Sequence, residues 1–555
     1  MAHKIHQSHK SNNPIIIKRG LRIGDLEAET DADLLSSCFV DNGELDLLID
    51  VNKPESIVLG RTGSGKSALL IELQNRVEHS KYLDPNDISI RYLEASDIIQ
   101  FFGKLGIKLD LFYKILWRHI LTIELLKLKY DFKSSDDGQG VVSFLLPFVK
   151  RDKVKQEALS YLKEWGDKFW LDTDEQLKEV TRKLESDLKN GIGIDLQGVS
   201  LTAEGAEKLS KEQRTEIVHR ANKVVSQLQI KKLHDILDLL SKEVFDDKQQ
   251  QFYLLIDKLD EEWATSNIRY EFVRALIEEI KTFRRISNAK VIVALRKDLL
   301  DIVFDKTRGA GFQQEKYESY ILPVRWNKQA LEKLVETRIQ EIFKRQYTKQ
   351  NIKIDDVFYS PKGKGGQKPL DFIIDRSLFR PRDVIQYVNE CLIAAIDKPQ
   401  VSKLYLKNAE STYSEKRLNS LLEEWSEIYP CLGFYFELLR GKKSVFYRSD
   451  LNTWIEDEIN ELYQCGDITD PCHQAIEKYI ENQFNVADIT AEVVNAFYRI
   501  GIIGVKTSSH SPYIWTDYDH ALLAKGEIKR TNQIKIHKMI WRTLGITETQ
   551  ESGVR

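Results

Sequence analysis

The sequence has 555 residues, of which 42% are hydrophobic and 30% are charged, with a formal net charge of −3. The length exceeds what one hydrophobic core supports, and the composition excludes an intrinsically disordered chain. The nearly balanced charge excludes a uniformly basic protein that coats nucleic acid, although a local basic face is compatible with it.

Two further features concern the compartment. The five cysteines are scattered and lack zinc-binding spacing, which predicts free thiols. The first 14 residues are polar, and the most apolar stretch, Val141–Val149, is far shorter than a membrane-spanning helix. We therefore expect a cytoplasmic protein that makes no membrane contact.

The first segment with a chemical signature is Ile57–Leu70, IVLGRTGSGKSALL, in which an apolar strand, a glycine-rich loop and a helix follow one another. The loop matches the eight-residue phosphate-binding pattern without a gap. Its glycines let backbone N–H groups turn toward a phosphate chain, and the helix start adds a positive end. Lys66 is expected to contact the β- and γ-phosphates, and Ser67 to bind Mg²⁺. The predicted nucleotide-binding residues are Gly60, Arg61, Thr62, Gly63, Ser64, Gly65, Lys66, Ser67 and Ala68.

A long, mostly helical region follows. A strand is predicted over Ile88–Ala95, and an amphipathic helix over Leu111–Tyr130 whose charged residues indicate packing against protein. The SxxQ pattern at Ser210–Gln213 predicts a capping box, and the alternation in Gly191–Gly205 predicts a small hairpin. Residues 97–245 are therefore predicted to be a helical insertion, which either senses a partner or only elaborates the fold.

The segment Phe252–Trp263, FYLLIDKLDEEW, predicts a strand of a parallel sheet, because its apolar run is continuous. It places Asp257 at the carboxyl end of the strand, where open α/β sheets bind ligands. Asp257 is predicted to anchor Mg²⁺, and either Asp260 or Glu261 to act as the general base on the attacking water.

The next strand is predicted within Ala289–Leu300, after a crossover helix, and is expected to neighbour the phosphate-binding strand. Arg296 at its tip is predicted to sense the γ-phosphate, with Lys297 as the competing candidate. Arg308, in a glycine-containing segment farther on, is a candidate arginine finger acting across a subunit interface.

The segment Leu378–Ala395 predicts a lid helix that begins at Pro381. Arg380 and Arg382 lie at its start, where Arg382 is predicted to contact the nucleotide; the alternative is that these arginines only brace the lid. Its apolar face is expected to contain Val384, Ile385, Val388, Leu392 and Ile393.

Three lysines in the glycine-rich loop Ser360–Pro369 indicate a solvated loop or, alternatively, a contact with phosphates. Near the C-terminus a helix is followed by the apolar strand Gly501–Val505, a polar turn and a second predicted strand, Tyr513–Trp515. This order outlines a winged helix, which binds either DNA or protein.

Together these motifs resemble the AAA+/STAND group of P-loop ATPases, and in particular the bacterial KAP-like ATPases with a DxLDE-W second motif, several of which act against phage. The resemblance rests on GRTGSGKS, LLIDKLDEEW, VIVALRKD, RPRDVIQYVNECL and the preceding GDLEAETDADLLSSCFVD, so it spans residues 15–400. KAP proteins commonly carry membrane helices between the two phosphate motifs, and this sequence has none there. The resemblance favours Asp260 as the base.

The resemblance implies a Mg²⁺-dependent ATPase whose nucleotide cycle controls assembly of a homo-oligomer or a separate effector protein in antiphage defence. The rival hypotheses are a DNA-binding motor or loader and a nucleotide-gated scaffold without turnover. LSKEQR at Leu209–Arg214 lacks the glycines of an ABC-transporter signature, and NKQA at Asn327 lacks the aspartate of a guanine-reading motif, so ATP is the expected nucleotide.

The predicted fold class is an α/β P-loop NTPase core, a parallel sheet with helices on both faces, with a large helical insertion, a helical lid and a C-terminal winged-helix-like α+β region. The predicted domains are a disordered N-terminus (1–14), the first part of the core (15–96), the insertion (97–245), the second part of the core (246–325), the lid (326–400) and the C-terminal domain (401–555).

Overall fold

The structure is a computed structural model, and the residues it describes are 15–85, 96–107, 109–130, 202–227, 236–245, 247, 249–261, 266–306, 314–347, 351–361, 366–508, 510–516 and 523–549, with the single residues 178, 182, 186 and 190. The predicted strand Ile88–Ala95, the N-terminal residues 1–14, Arg308, most of Gly191–Gly205 and the middle of the lysine loop lie outside these residues. Contacts divide the chain into two units. The first comprises Met1–Val40, Thr62–Gly65 and Trp326–Arg555, and the second Asp41–Arg61 and Lys66–Arg325.

A five-stranded parallel sheet forms the centre of the second unit. Its strands lie in the order β2-β3-β4-β1-β5, so the chain leaves β1 for the far edge and returns through β3 and β4 to the side of β1. This arrangement confirms the predicted α/β core with a parallel sheet. The strands are β1 (Ile57–Gly60), β2 (His79–Leu83), β3 (Phe252–Ile256), β4 (Ala289–Arg296) and β5 (Ile321–Pro323).

The register of this sheet places the predicted motifs at the carboxyl ends of its strands. β3 is buried along its whole length, as its continuous apolar sequence predicts. β1 pairs directly with β4, with Gly60 opposite Arg296, which confirms that the two strands are neighbours. Because all five strands are parallel, the residues that follow their carboxyl ends lie beside one another at the same end of the sheet.

Helices connect and cover these strands. The predicted crossover helix is confirmed as Ser266–Phe283, between β3 and β4. It packs against the helix Asp110–Tyr130, whose Arg118 donates to Glu279 at 2.7 and 2.8 Å. Helices of this unit in its described part span Glu44–Ile49, Lys66–Arg76, Asp97–Lys104, Asp110–Tyr130, Ala203–Glu207, Lys211–Gln227, Ser266–Phe283 and Lys297–Lys306, with a π-helical turn at Leu240–Val244 and a 3₁₀ helix at Gln314–Tyr320.

Two local features of this unit concern a helix start and an edge strand. The capping box is confirmed: Gln213 N–H donates to Ser210 Oγ at 3.2 Å, and Ser210 N–H donates to Gln213 Oε1 at 3.0 Å. The helix that follows the glycine-containing loop spans Lys66–Arg76, and the chain then forms β2. β2 is an edge strand in which only Leu83 is buried, so its sequence lacks the apolar run that marks β3.

The helices of the first unit surround a second hydrophobic core. Pro381 occupies the first turn of the helix Pro381–Ala394, as predicted. The prediction that Ile393 belongs to the buried face of this helix is wrong, since its side chain is 46% exposed. Helices in the described part of this unit span Ala32–Cys38, Lys328–Tyr347, Ile354–Val357, Pro369–Ile374, Pro381–Ala394, Lys403–Glu424, Leu432–Glu437, Arg448–Asp457, Ile459–Tyr463, Pro471–Ile480, Val486–Ile500, Lys525–Lys529 and Trp541–Leu544, with a 3₁₀ turn at Lys538–Ile540.

The first unit also contains a three-stranded antiparallel sheet, in the order β6-β8-β7, with β6 at Val445–Tyr447, β7 at Ile503–Lys506 and β8 at Gln533–Ile536. β7 corresponds to the predicted strand Gly501–Val505. The second predicted strand, Tyr513–Trp515, forms only one bridge, between Ile514 and Val505. The central strand is β8 instead, which the sequence did not reveal because it is short and alternates polar with apolar residues.

The cysteine prediction is partly wrong. Cys431 and Cys465 form a disulfide with a Cα–Cα distance of 5.7 Å, whereas Cys38, Cys391 and Cys472 are free and buried. Packing between the helices Leu432–Glu437 and Ile459–Tyr463 brings the two cysteines together, which their spacing does not indicate.

Within the described part of the chain, none of the helices has both the length and the apolar composition that crossing a bilayer requires.

Candidate functional site

The loop between β1 and the helix Lys66–Arg76 turns through two glycines with positive φ, +76° at Gly63 and +93° at Gly65. Glycine adopts these angles without the steric cost that a side chain would incur. In the second unit, Lys66 Nζ donates to the Arg61 carbonyl at 3.2 Å and is 9% exposed. Burial lowers the pKa of Lys66, and the charges of Asp260 and Asp257 oppose this shift.

Asp257, directly after β3, is the most buried acidic group of this site, at 3% exposure. Its carboxylate accepts hydrogen bonds from the Ser67 hydroxyl, from the Tyr82 hydroxyl at 3.0 Å and from the Lys258 N–H at 2.8 Å. Burial raises the pKa of Asp257, while the Ser67 and Lys258 hydrogen bonds and the Lys66 charge counteract it. The sheet therefore brings Ser67 and Asp257 into contact although they are far apart in the sequence.

Arg296 at the end of β4 lies beside the predicted general base. Its Nε is 3.7 Å from Asp260 Oδ2, and its guanidinium donates to both carboxylate oxygens of Asp298, at 3.1 and 2.5 Å. Glu261 is exposed, and its backbone carbonyl accepts a hydrogen bond from Arg269 at 3.3 Å. Of the predicted catalytic groups, the structure thus brings Lys66, Asp260 and Arg296 together, whereas Glu261 points to the surface. Lys297, the competitor of Arg296, starts the next helix.

Sequence reasoning missed three residues that shape this site. Tyr82 lies on the edge strand β2 and matches no motif, so only the fold reveals its contact with Asp257. Asp298 is two residues after Arg296, a spacing that could have suggested the ion pair. Lys258 has a φ of +62°, rare for a residue with a side chain, and its Nζ is 3.2 Å from Asp84 Oδ2.

In the first unit, the segment Thr62–Gly65 contacts residues from the lid region. Trp326 Nε1 donates to the Ser64 carbonyl at 2.8 Å, and Arg380 Nη1 donates to the Thr62 carbonyl at 3.2 Å. The Arg382 N–H donates weakly to the Gly63 carbonyl at 3.4 Å, and its guanidinium donates to the Leu26 carbonyl at 3.1 Å. Arg380 is thus bonded to this loop in the first unit. Both predicted alternatives, a nucleotide contact of Arg382 and arginines that only brace the lid, stay predictions.

A buried ion-pair network holds the start of the helix Pro381–Ala394. Glu424 Oε2 is 3.4 Å from Arg380 Nη1 and 3.1 Å from Arg417 Nη2, and Arg417 Nε is 3.5 Å from Asp383 Oδ1. Burial opposes the charge of Arg417, but Asp383 and Glu424 outweigh it and raise the pKa of Arg417 above its usual value. The network links the lid helix to the helix Lys403–Glu424.

The residues present fit a magnesium–nucleotide complex. A serine hydroxyl and a buried carboxylate, Ser67 and Asp257, are the hard oxygen ligands that Mg²⁺ prefers. In the first unit, Thr62 Oγ1 and Ser64 Oγ are buried and have no hydrogen-bond partner in the described part of the chain.

Comparisons with known proteins give two similarities. Residues 329–422 match the family model described as the FunZ-associated C-terminal helical domain. Over 549 residues the chain is 22% identical to the transposon gamma-delta 80.3 kDa protein of Escherichia coli (strain K12), covering 94% of this chain and 67% of that protein. No solved structure matches the chain. Neither description names an activity, so the proposed function rests on the site itself.

Proposed function

We propose that this chain is a Mg²⁺-dependent P-loop ATPase whose nucleotide cycle switches its conformation to control assembly or a partner effector in bacterial antiphage defence. The observation that carries the ATPase proposal is the hydrogen bond between Ser67 and Asp257, which joins the end of the phosphate-type loop to the end of β3. Lys66, whose pKa responds to both Asp257 and Asp260, lies in the same cluster.

Each residue has a distinct role in this proposal. Lys66 binds the β- and γ-phosphates, with the loop residues Gly60–Ala68 around them. Ser67 and Asp257 would hold Mg²⁺, which neutralises phosphate charge when it is bound. Asp260 accepts a proton from the attacking water, and its position beside Arg296 favours it over the exposed Glu261.

The contacts inside the first unit support a conformational switch. Because Thr62–Gly65 are bonded to Trp326, Arg380 and Arg382 within this unit, a movement of the segment would act directly on these residues. Arg380 also belongs to the buried ion-pair network with Glu424, so its displacement would disturb the helix Lys403–Glu424. In this proposal the partner effector would bind differently once the helix Lys403–Glu424 had moved.

Hydrolysis is tested by measuring phosphate release and ATP binding in parallel. Asp260→Asn is expected to bind ATP normally and to lose about 10²- to 10⁴-fold in turnover, the usual contribution of a general base. Glu261→Gln and the exposed control Asp46→Asn are expected to keep most of the activity. Tight ATP binding without phosphate release by the wild-type protein would contradict the ATPase and support a nucleotide-gated scaffold.

A DNA-binding motor or loader is the second candidate. It is supported by the helix Val486–Ile500 next to the sheet β6-β8-β7, an arrangement compatible with a winged helix, and by the similarity to a protein named for a transposon. DNA-stimulated ATP hydrolysis that falls steeply with salt would favour this candidate, and hydrolysis that is indifferent to DNA would exclude it.

A further inference from the structure

One face of the three-stranded sheet in the first unit carries basic and aromatic side chains. Along β6 and β8 the buried positions alternate with positions on the other face, whereas in β7 Ile503, Gly504 and Val505 are all buried and Lys506 is half-buried. Tyr447 lies opposite Gln533, which lies opposite Lys506, and Lys535 lies opposite both Val445 and Gly504. Since residues opposite each other in an antiparallel pair share a face, these side chains lie on one surface.

Two more aromatic residues extend this surface. Ile514 pairs with Val505 through two backbone hydrogen bonds of 3.0 and 2.9 Å, so its neighbours Tyr513 and Trp515 lie on the same side as Gly504 and Lys506. A Cβ on Gly504 would come within 2.6 Å of two ring atoms of Trp515, which shows that the indole lies directly on the backbone there. We call the set Tyr447, Lys506, Tyr513, Trp515, Gln533 and Lys535 the outer sheet face.

The side chains of this face are arranged around Tyr513. Lys506 Nζ and Lys535 Nζ lie 4.5 and 5.4 Å from the centre of the Tyr513 ring, and the Tyr513 hydroxyl donates to Gln533 Oε1 at 2.8 Å. A phosphate that approached this ring would be attracted by both ammonium groups. Tyr447 is 52% exposed, so its ring is accessible to a ligand.

The charge of the surrounding sequence has the opposite sign to that of the whole chain. From Gly504 to Arg542 there are seven lysines and arginines against three aspartates and glutamates, whereas the chain as a whole carries a net charge of −3. Of these seven, Lys529 pairs with Asp488 at 2.9 Å and Lys538 pairs with Asp375 at 3.3 Å. Lys506 and Lys535 lie on the outer sheet face, where two positive charges favour a polyanion.

We propose that the outer sheet face binds single-stranded nucleic acid. Lys506 and Lys535 contact phosphates, and the aromatic rings of Tyr447 and Trp515 stack on bases. A single strand fits better than a duplex, because a base exposes its flat face to a tyrosine or tryptophan only when it is unstacked. The proposal does not depend on ATP hydrolysis, and the sheet is far in sequence from the predicted phosphate-binding loop Gly60–Ser67.

The test uses the full chain and the fluorescence anisotropy of labelled oligothymidine and oligouridine over a range of salt concentrations. Tyr447→Ala is expected to weaken binding about five- to a hundredfold, the usual effect of losing one stacked base, whereas Tyr447→Phe keeps the ring and the affinity. The double variant Lys506→Ala/Lys535→Ala is expected to make the log–log salt dependence shallower by about 1.4, because two phosphate contacts are lost.

The matched control removes two exposed lysines elsewhere in the same unit, Lys398→Ala/Lys407→Ala, and is expected to bind like the wild type. Lys66→Ala should also bind the oligonucleotides normally, which separates this proposal from the ATPase. Binding of either oligonucleotide supports the proposal. Equal affinities and salt slopes for the two double variants, tighter binding of a duplex than of either single strand, or no binding at all would overturn it.

Discussion

Replacement of Gly63 by alanine tests how tightly the loop is packed in the first unit. Gly63 has a φ of +76°, and a Cβ there would lie 2.8 Å from Arg382 Cβ and 3.1 Å from Arg382 Cδ. Arg382 Cβ is attached directly to the backbone of the helix Pro381–Ala394 and cannot rotate away. Gly63→Ala should therefore strain both the loop and the helix start.

The magnitude has two parts. A residue with a Cβ in the left-handed region costs about 1–2 kcal/mol, and overpacking by one methyl group costs about 1–3 kcal/mol more. Gly441→Ala isolates the first part, since Gly441 has a φ of +71° in the same unit and its added Cβ would meet nothing within 4 Å. We expect Gly63→Ala to lower the free energy of unfolding by about 2–5 kcal/mol and Gly441→Ala by about 1–2 kcal/mol.

The assay is urea unfolding followed by circular dichroism, with the transition of the first unit compared between variants. A double-mutant cycle with Arg382→Gly, which removes the clashing Cβ, should recover most of the difference between the two alanine variants. Equal losses for Gly63→Ala and Gly441→Ala, or no coupling in the cycle, would refute close packing of the loop on the lid helix.

Three further predictions concern protonation and charge. Tyr82→Phe removes a donor to the Asp257 carboxylate, so the acid limb of the kcat/KM profile for ATP should move to higher pH; an unmoved limb would contradict the positioning role of Tyr82. His537 is buried, and desolvation lowers its pKa to about 3, below its unfolded value, so the stability it supports is complete above the unfolded pKa and is lost as pH falls. Between pH 6.5 and pH 5 the wild-type protein should lose about 2 kcal/mol of its free energy of unfolding through His537. In urea titrations His537→Asn should lose less over that range, and the same pH dependence in both proteins would contradict the prediction. Arg296→Ala should lower kcat while leaving the Kd for ATP within a few fold, whereas an equal loss in both would assign Arg296 to ground-state binding.

The elements that could be predicted from sequence are those with strong local signals. β3 and β4 are continuous apolar runs, Pro381 marks a helix start, and Ser210 with Gln213 forms a reciprocal cap. The pairing of β3 with β4 was also accessible, because the crossover helix Ser266–Phe283 connects these two parallel strands.

The elements and contacts that could not be predicted are determined by tertiary packing and have no local sequence signal. β2 and β8 are short strands with mixed polarity, and their pairing is decided by the strands they join. Tyr82 contacts Asp257 only because β2 lies beside β3. The Cys431–Cys465 disulfide likewise follows from helix packing and not from spacing.

The most direct measurement is equilibrium binding of ATP with Mg²⁺ to Lys66→Ala and to Lys53→Ala, which removes an exposed lysine that precedes β1 in the same unit. A hydrogen bond from an ammonium to a phosphate contributes about 1.5–3 kcal/mol, so Lys66→Ala should bind ATP about 10- to 150-fold more weakly, whereas Lys53→Ala should match the wild type. Unchanged ATP affinity in Lys66→Ala would show that the Lys66, Ser67 and Asp257 cluster is not a nucleotide site.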